Sequence, residues 1–383
     1  MTSKQESAVR RRTRAAGAGE AAQAPPYVDM PPLWCPIPTA ARGSWQEVEQ
    51  RSMRWMIRYG FCDDPARRSR VMATRAAEWS TRVAPNASPE GLQVLSDSVY
   101  RDLMFDDEIL DHDNPADADP TRVLSYVQNL LHVMNHPEAR PGPDPYLQTL
   151  HDVARRWRSF ASPTALRRWI EGHTTWLYAA AAVIGHRARG TLPDLDEYLI
   201  IGPPDRGNTM SISGIEMAEG TALCTAEMED PRVRAITAAA GVVVTFDNDL
   251  FSYPREVVRG TPESNIVGVL RHSRRLTVQA AVADAVRLRD RTLCLYLSLR
   301  DQMRSRASSD LRAYLDQLDH YIRGNIDWSL TAPRYQTKPD RLGPDAPAQT
   351  QAQYADGPSD GSLAAPPIPA IAWWWDHLDR SRV

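Results

Sequence analysis

Apolar residues recur along most of this chain at steps of three and four, the spacing that stacks side chains on one face of an α-helix. In "SWQEVEQRSMRWMIRYGF" the pattern puts Trp45, Val48, Met53 and Ile57 near one face. "DPARRSRVMATRAAEWSTRV" opens on an Asp cap followed by Pro at the first helical position, which is a start signal. Longer helices are predicted over "SPTALRRWIEGHTTWLYAAAAVIGHRA", "RRLTVQAAVADAVRLRDRTLCLYLSLRDQMRSRA" and "SDLRAYLDQLDHYIRGNIDWSL". Alternating strand patterns bounded by turn signals are essentially missing, and no fixed period suggests a solenoid. The pattern predicts one all-α domain over residues 31–335, with roughly ten helices around a common core.

Two segments fall outside it. Residues 1–30 are rich in Ala, Gly, Arg and Pro and are expected to be disordered. Residues 336–383 are expected to form a disordered C-terminal tail, a Pro/Gly-rich linker over 336–370 that is too rich in those residues to pack, followed by the Trp-rich segment "IAWWWDHLDRSRV". Trp373, Trp374 and Trp375 there suit docking on the body, a partner or a membrane surface. Docking on the body is the plainest of the three, because a bare aromatic cluster is otherwise a liability.

Composition narrows the class. Hydrophobic content of 42% and a charged fraction of 24% are those of an ordinary globular protein. A net charge of −3 argues against general nucleic-acid binding while allowing a local basic pocket. Cys35, Cys62, Cys224 and Cys294 form no CxxC pair, which supports neither a zinc site nor a disulfide framework and fits a reducing, cytoplasmic setting. The N-terminus lacks the apolar core of a secretory signal. The apolar runs "WLYAAAAVIG" and "ITAAAGVVVTF" are about half the ~20 residues of a membrane span, so no stable insertion is expected.

Two stretches carry chemistry. In "LMFDDEILDHD", Asp107 and Asp111 share a helical face and Asp106 is offset by about 100°. Carboxylates this close repel unless a cation or a proton intervenes, and Mg²⁺ is the natural partner; a solvated helix end is the bland alternative. In "FDNDLFSYPRE", Asn248, Ser252 and Glu256 recur every four residues beside an otherwise apolar run. An amide, a hydroxyl and one carboxylate hold a bare divalent ion poorly, but suffice where a ligand's phosphate oxygens complete the shell. Arg255 is placed to contact the same phosphates. Incidental polar residues on a helix are the alternative here.

Together the stretches are more specific than either alone. The pattern N-D-L-x-S-x-x-(K/R)-E following D-D-x-x-x-D, with "YIRGNIDWSLTAPRY" at residues 321–335, resembles the bacterial class I terpene synthases over roughly residues 30–335. "DLDEYL" and "GTPESNIVGVL" are smaller echoes of the same family. The resemblance implies a single helical domain with a deep apolar pocket and three Mg²⁺ ions at its mouth. It implies that Asp106 binds two ions, that Asn248, Ser252 and Glu256 hold the third, and that Asp111 is a gating or outer group. Arg334 and Tyr335 match the pair that grips the diphosphate, with Arg255 as a further donor. Trp328 is the first choice for an aromatic face toward a carbocation and Phe105 the second, although both suit plain core positions.

The reaction so implied is Mg²⁺-dependent ionisation and cyclisation of a linear isoprenyl diphosphate. Farnesyl diphosphate leads as substrate, being the family's commonest, and geranylgeranyl diphosphate follows. A prenyl-elongating enzyme would carry two Asp-rich motifs, and a class II cyclase a D-x-D-D acid. A non-catalytic terpenoid-binding or scaffold protein is a separate alternative. Homodimers are common in the family.

One stretch departs from the pattern. In "DEYLIIGPPDRGNTMSISG", the spacing from Glu197 and Tyr198 puts Gly202 where the family has a diphosphate-sensing Arg, with Asp205 in the linker slot. Arg206 is the only nearby cation, and Gly202, Pro203 and Pro204 are expected to interrupt the helix. Arg206 either takes over the sensing role through a local shift of the backbone, or leaves the trigger altered, or is only a surface residue in a loop.

Overall fold

The computed structural model describes residues 30–40, 43–110, 119–221, 223–259, 265–335 and 354–379. The expected disorder of residues 1–30 concerns a stretch that, apart from Met30, lies outside them.

Helices follow one another almost without pause. A two-residue strand β1 (Leu33–Trp34) leads to α1 (Gln46–Arg58), α2 (Pro65–Thr74), α3 (Ala76–Val83) and α4 (Pro89–Phe105), which continues as a π-helical turn, Asp106–Leu110. Next come α5 (Pro120–Asn135), α6 (Pro145–Arg158), α7 (Pro163–Arg189), α8 (Leu195–Asp205), α9 (Asn208–Glu219) and the short α10 (Thr225–Met228). The body closes with α11 (Pro231–Arg259), α12 (Ile266–Arg274), α13 (Val278–Arg304), α14 (Ser309–Ser329) and a 3₁₀ turn, Pro333–Tyr335. Among the described residues, no helix is long and apolar enough to cross a membrane.

The helix starts are written plainly in the chain. Asp64, Ser88, Asp119, Asp144 and Ser162 each precede a proline and accept a hydrogen bond from a first-turn amide. Proline has no N–H to orphan at that position, and the capping oxygen satisfies one of the N–H groups that remain.

Periodicity is overridden in two places. The helix expected from Asp64 to Val83 is two helices, broken at Arg75, whose φ of 45° is left-handed. Tertiary partners hold the break: Trp328 Nε1 donates to the Thr74 carbonyl at 3.0 Å, and Arg75 Nη1 to that of Thr331 at 3.3 Å. On α1 the buried face is Val48, Ser52 and Met56, while Ile57 is 45% exposed. Ser52 is buried there because Asp97 of α4 accepts its hydroxyl at 2.6 Å.

α7 and α9 cross so closely that a Cβ on Gly172 would lie 2.5 Å from the Met210 amide nitrogen. Backbone cannot yield as a side chain does, so Gly172→Ala is expected to cost about 1–3 kcal/mol. The urea midpoint should fall with an unchanged m-value; an unaltered midpoint would show that the two helices separate freely.

Part of the chain after Tyr335 packs, contrary to what its Pro and Gly content suggests. A strand β2 (Tyr354–Ala355) pairs in parallel with β1, Leu33 opposite Tyr354 and Trp34 opposite Ala355. Further on, Asp290 of α13 accepts both the amide and the hydroxyl of Ser359, each at 2.8 Å. A short helix α15 (Pro369–Ala372) and a 3₁₀ turn (Trp373–His377) then bury Ile371, Trp374 and Trp375, leaving Trp373 at 38% exposure. Two tryptophans remove enough apolar surface to fix a segment that has little regular structure of its own.

Candidate active site

Helices α4, α7, α9, α11 and α14 surround a cavity of about 1320 Å³, open solvent at its mouth included. Its apolar wall carries Trp79, Trp169, Trp176, Val244 and Trp328, and its polar side carries Asp106, Arg206, Asn248, Ser252, Arg255, Glu256, Arg334 and Tyr335. Residues more than two hundred positions apart in sequence thus share one cavity.

Asn248, Ser252 and Glu256 lie on α11 at the predicted steps of one turn. Asn248 Nδ2 donates to the Tyr335 hydroxyl at 2.8 Å, which leaves Oδ1 as the end of the amide that suits a cation. Ser252 Oγ donates to Glu256 Oε1 at 2.6 Å, and Asn265 Nδ2 to Glu256 Oε2 at 2.7 Å. Burial pushes the Glu256 carboxyl up to about 7, with Arg206 pulling it back and Asp249 adding to the rise.

Across the cavity, α4 ends in the π-helical turn that carries Asp106, Asp107 and Glu108. A π-turn holds more residues than the 3.6 assumed from sequence, so the face computed for Asp107 and Asp111 does not carry through it. Asp111 itself lies outside the described residues. The three acids of the turn separate: Asp106 lines the cavity, while Asp107 takes an ion pair from Arg255 and a second from Arg334 at 3.4 Å. Glu108 is bound by Arg67 at 2.8 Å and by the Tyr146 hydroxyl at 2.6 Å, a clamp from α2 and α6 that anchors the turn.

The Arg206 region differs from expectation in its backbone. Helix α8 runs through Gly202, Pro203 and Pro204, and the break comes at Gly207, whose φ is +66°. Both prolines fit because Arg206 N–H still reaches the Gly202 carbonyl at 3.0 Å and Gly207 N–H reaches that of Pro204 at 2.8 Å. Gly202 is pressed against Tyr198, whose ring would lie 3.0 Å from an added Cβ. Arg206 turns into the cavity, with Nη2 2.7 Å and Nε 2.9 Å from Asp249 Oδ1, Nη1 2.7 Å from Asp205 and Nη2 3.8 Å from Glu256. Arg206 stands in the turn between α8 and α9, but its side chain is only 15% exposed, so the reading of a surface residue does not hold.

Trp328 lines the cavity, its N–H held by Thr74 and its ring edge-to-face with Tyr335 at 5.3 Å. Phe105 does not. It is buried between Tyr126 and Trp176 with the Arg101 guanidinium 4.6 Å from its ring centre, so the core reading applies.

Three partners went unread in the sequence. Asp249 anchors Arg206, the Ile266 amide (2.6 Å) and the Tyr198 hydroxyl; Asp107 anchors two arginines; Asn265 holds Glu256 and caps α12. Only Asn265 gives a local signal, as a cap before the apolar run "IVGVL".

The fit to a metal is tested by the donor set. It consists of oxygens from Asp106, Asn248, Ser252 and Glu256, the hard ligands a divalent ion prefers. Among the described residues, the buried Nε and Nη1 of Arg334 have no hydrogen-bond partner, as suits a guanidinium that receives an anion. The residues fit a divalent metal and a phosphate-bearing ligand.

A family model described as terpene synthase family 2, C-terminal metal binding, matches residues 103–293. Spiroviolene synthase of Streptomyces violens is 33% identical over 91% of this chain and 97% of its own. Diterpene cyclase DtcycA of a Streptomyces species is 30% identical over 92% and 97% respectively. (+)-T-muurolol synthase of Streptomyces clavuligerus, described as cyclising (2E,6E)-farnesyl diphosphate, is 29% identical over 90% and 81%. Among solved structures, the SVS_A2 protein from ancestral sequence reconstruction superposes with a TM-score of 0.80 at 35% identity, covering 91% of this chain and 99% of that one.

Proposed function

Because the chain belongs to the bacterial class I terpene synthase family, we propose that its cavity ionises farnesyl diphosphate at the mouth and cyclises the resulting cation against the apolar wall. The protein is a divalent-metal-dependent lyase of isoprenyl diphosphates, and the single observation that carries the placement is the convergence of Asp106 with Asn248, Ser252 and Glu256 on one cavity. The metal reading is three Mg²⁺ ions, held by Asp106 on one side and by the α11 set on the other.

Those residues supply oxygen ligands, and the ions when bound stabilise the charge that develops on the leaving diphosphate. Arg206, Arg255, Arg334 and Tyr335 are the chain's own donors toward that anion. As the C–O bond breaks, its electron pair leaves with the diphosphate and the allylic cation faces the tryptophans. Each aromatic face stabilises it by about 0.5–2 kcal/mol, and none offers a nucleophile. Geranylgeranyl diphosphate is the second reading, favoured by the likeness to a diterpene cyclase.

The test is incubation with Mg²⁺ and the C10, C15 and C20 diphosphates, following diphosphate release and hexane-soluble products by gas chromatography. Cyclic products from the C15 or C20 substrate are expected. Diphosphate release without a terpene hydrocarbon or alcohol would count against cyclisation.

Glu256 adds a pH dependence. Its carboxyl is raised from 4.5 to about 7 in the fold, so its contribution to stability is present at low pH and lost as pH rises through that window. A divalent ion needs the carboxylate, and binding displaces the proton. The rise in Tm produced by Mg²⁺ is therefore expected to grow between about pH 6 and pH 8, and to stay flat in Glu256→Gln. A Mg²⁺ effect independent of pH in the parent would remove Glu256 from the ligand set.

A further inference from the structure

One turn before Asp106 on α4, Asp102 also lines the cavity. It is a carboxylate set on a wall whose neighbours include Leu103, Trp169 and Trp176, and it lies outside the metal-ligand pattern of the family motif. Its Oδ1 takes Arg101 Nη1 at 2.8 Å, and its Oδ2 takes the Ser98 hydroxyl at 3.1 Å.

Behind it stands His173 of α7, fully buried between the two tryptophans, with ring centres 4.3 Å from Trp169 and 6.1 Å from Trp176. His173 Nδ1 is 3.0 Å from the Trp169 carbonyl. A carbonyl only accepts, so Nδ1 carries hydrogen. The other nitrogen, Nε2, has no hydrogen-bond partner among the described residues and lies 3.9 Å from Asp102 Oδ2. Nε2 and Asp102 Oδ2 therefore face each other in a buried setting, where a proton lodged between them is shared by both.

We propose that Asp102, backed by His173, is the base that ends the carbocation cascade. This rests on the terpene-cyclising function proposed above. The C–H bond next to the last cationic carbon breaks, and its electron pair becomes the π bond of the olefin. The proton passes to Asp102 Oδ2, where His173 Nε2 shares it. Cation and carboxylate become a neutral olefin and a protonated pair, so charge balances without a co-reactant. Asp102 is held in place for this, with Arg101 Nη1 on its Oδ1 at 2.8 Å and the Ser98 hydroxyl on its Oδ2 at 3.1 Å. Its place one helical turn, about 5.4 Å, from Asp106 sets it apart from the diphosphate, the other available base.

The test compares the parent with Asp102→Asn and His173→Phe, using Mg²⁺ with farnesyl and geranylgeranyl diphosphates. Asn keeps the shape of Asp and removes its basicity, and the readout is a ratio of products, so slower ionisation does not enter. The share of the parent's olefin is expected to fall about tenfold or more in Asp102→Asn, replaced by water-captured alcohols or olefins arrested earlier. His173→Phe, which keeps a ring between the tryptophans, should shift the ratio in the same direction by less.

An unchanged ratio in Asp102→Asn overturns the proposal, as does a parent that forms only alcohols. Should Asp102→Asn lack the parent's circular dichroism, His173→Phe decides: a shifted ratio supports the base and an unchanged one overturns it. A parent that releases no diphosphate would instead refute the terpene-cyclising function itself.

Discussion

Replacing Asn248 and Ser252 together by alanine is expected to lower Mg²⁺-dependent turnover by about 10²–10³-fold while leaving the helical circular dichroism intact. Two of the three α11 oxygens that face the cavity are removed, and Glu256 alone cannot orient a divalent ion. The structural cost is modest. The Tyr335 hydroxyl loses its donor from Asn248 and Glu256 loses one of two, at about 1 kcal/mol for each hydrogen bond. Turnover close to the parent's at the same Mg²⁺ concentration would mean that α11 does not hold the metal.

The second large effect is expected at Arg206. Arg206→Ala should cut turnover by about tenfold or more, because the guanidinium that stands 3.8 Å from Glu256 disappears from the cavity. It should also destabilise the fold by about 3–5 kcal/mol, since Asp249 is fully buried and would be left without its cation. The two effects separate in Arg206→Lys, which restores a charge but cannot bridge Asp249, Asp205 and Glu256 with one planar fork. Recovered Tm with turnover still depressed is the expected pattern. Near-parental turnover in Arg206→Ala would reduce the residue to an anchor for Asp205 and Asp249.

What was legible in the sequence was what is local or strictly periodic. The cap at Asp64, the long helices and the four-residue step from Asn248 to Glu256 follow from rules acting within a turn or two. What stayed hidden depends on contacts distant in sequence. No count along residues 64–83 shows that an indole at position 328 will cap Thr74 and split the helix. The π-turn at Asp106 belongs to this class too, being stabilised by Arg67 and Tyr146 holding Glu108. Composition misled after Tyr335, because Pro and Gly content measures the cost of ordering and is blind to the two tryptophans that offset it.

The pairing of β1 with β2 also places the chain in time. Leu33 leaves the ribosome roughly 320 residues before Tyr354, and at ~5–20 residues per second that is a wait of some tens of seconds. Every helix of the body is made in that interval, so the first strand waits beside a nearly finished fold for its partner. The clasp therefore closes late in synthesis, ahead of the Ser359 and Trp374–Trp375 contacts that follow it in the chain, and newly made chains caught before it would carry the cavity without that strand pair.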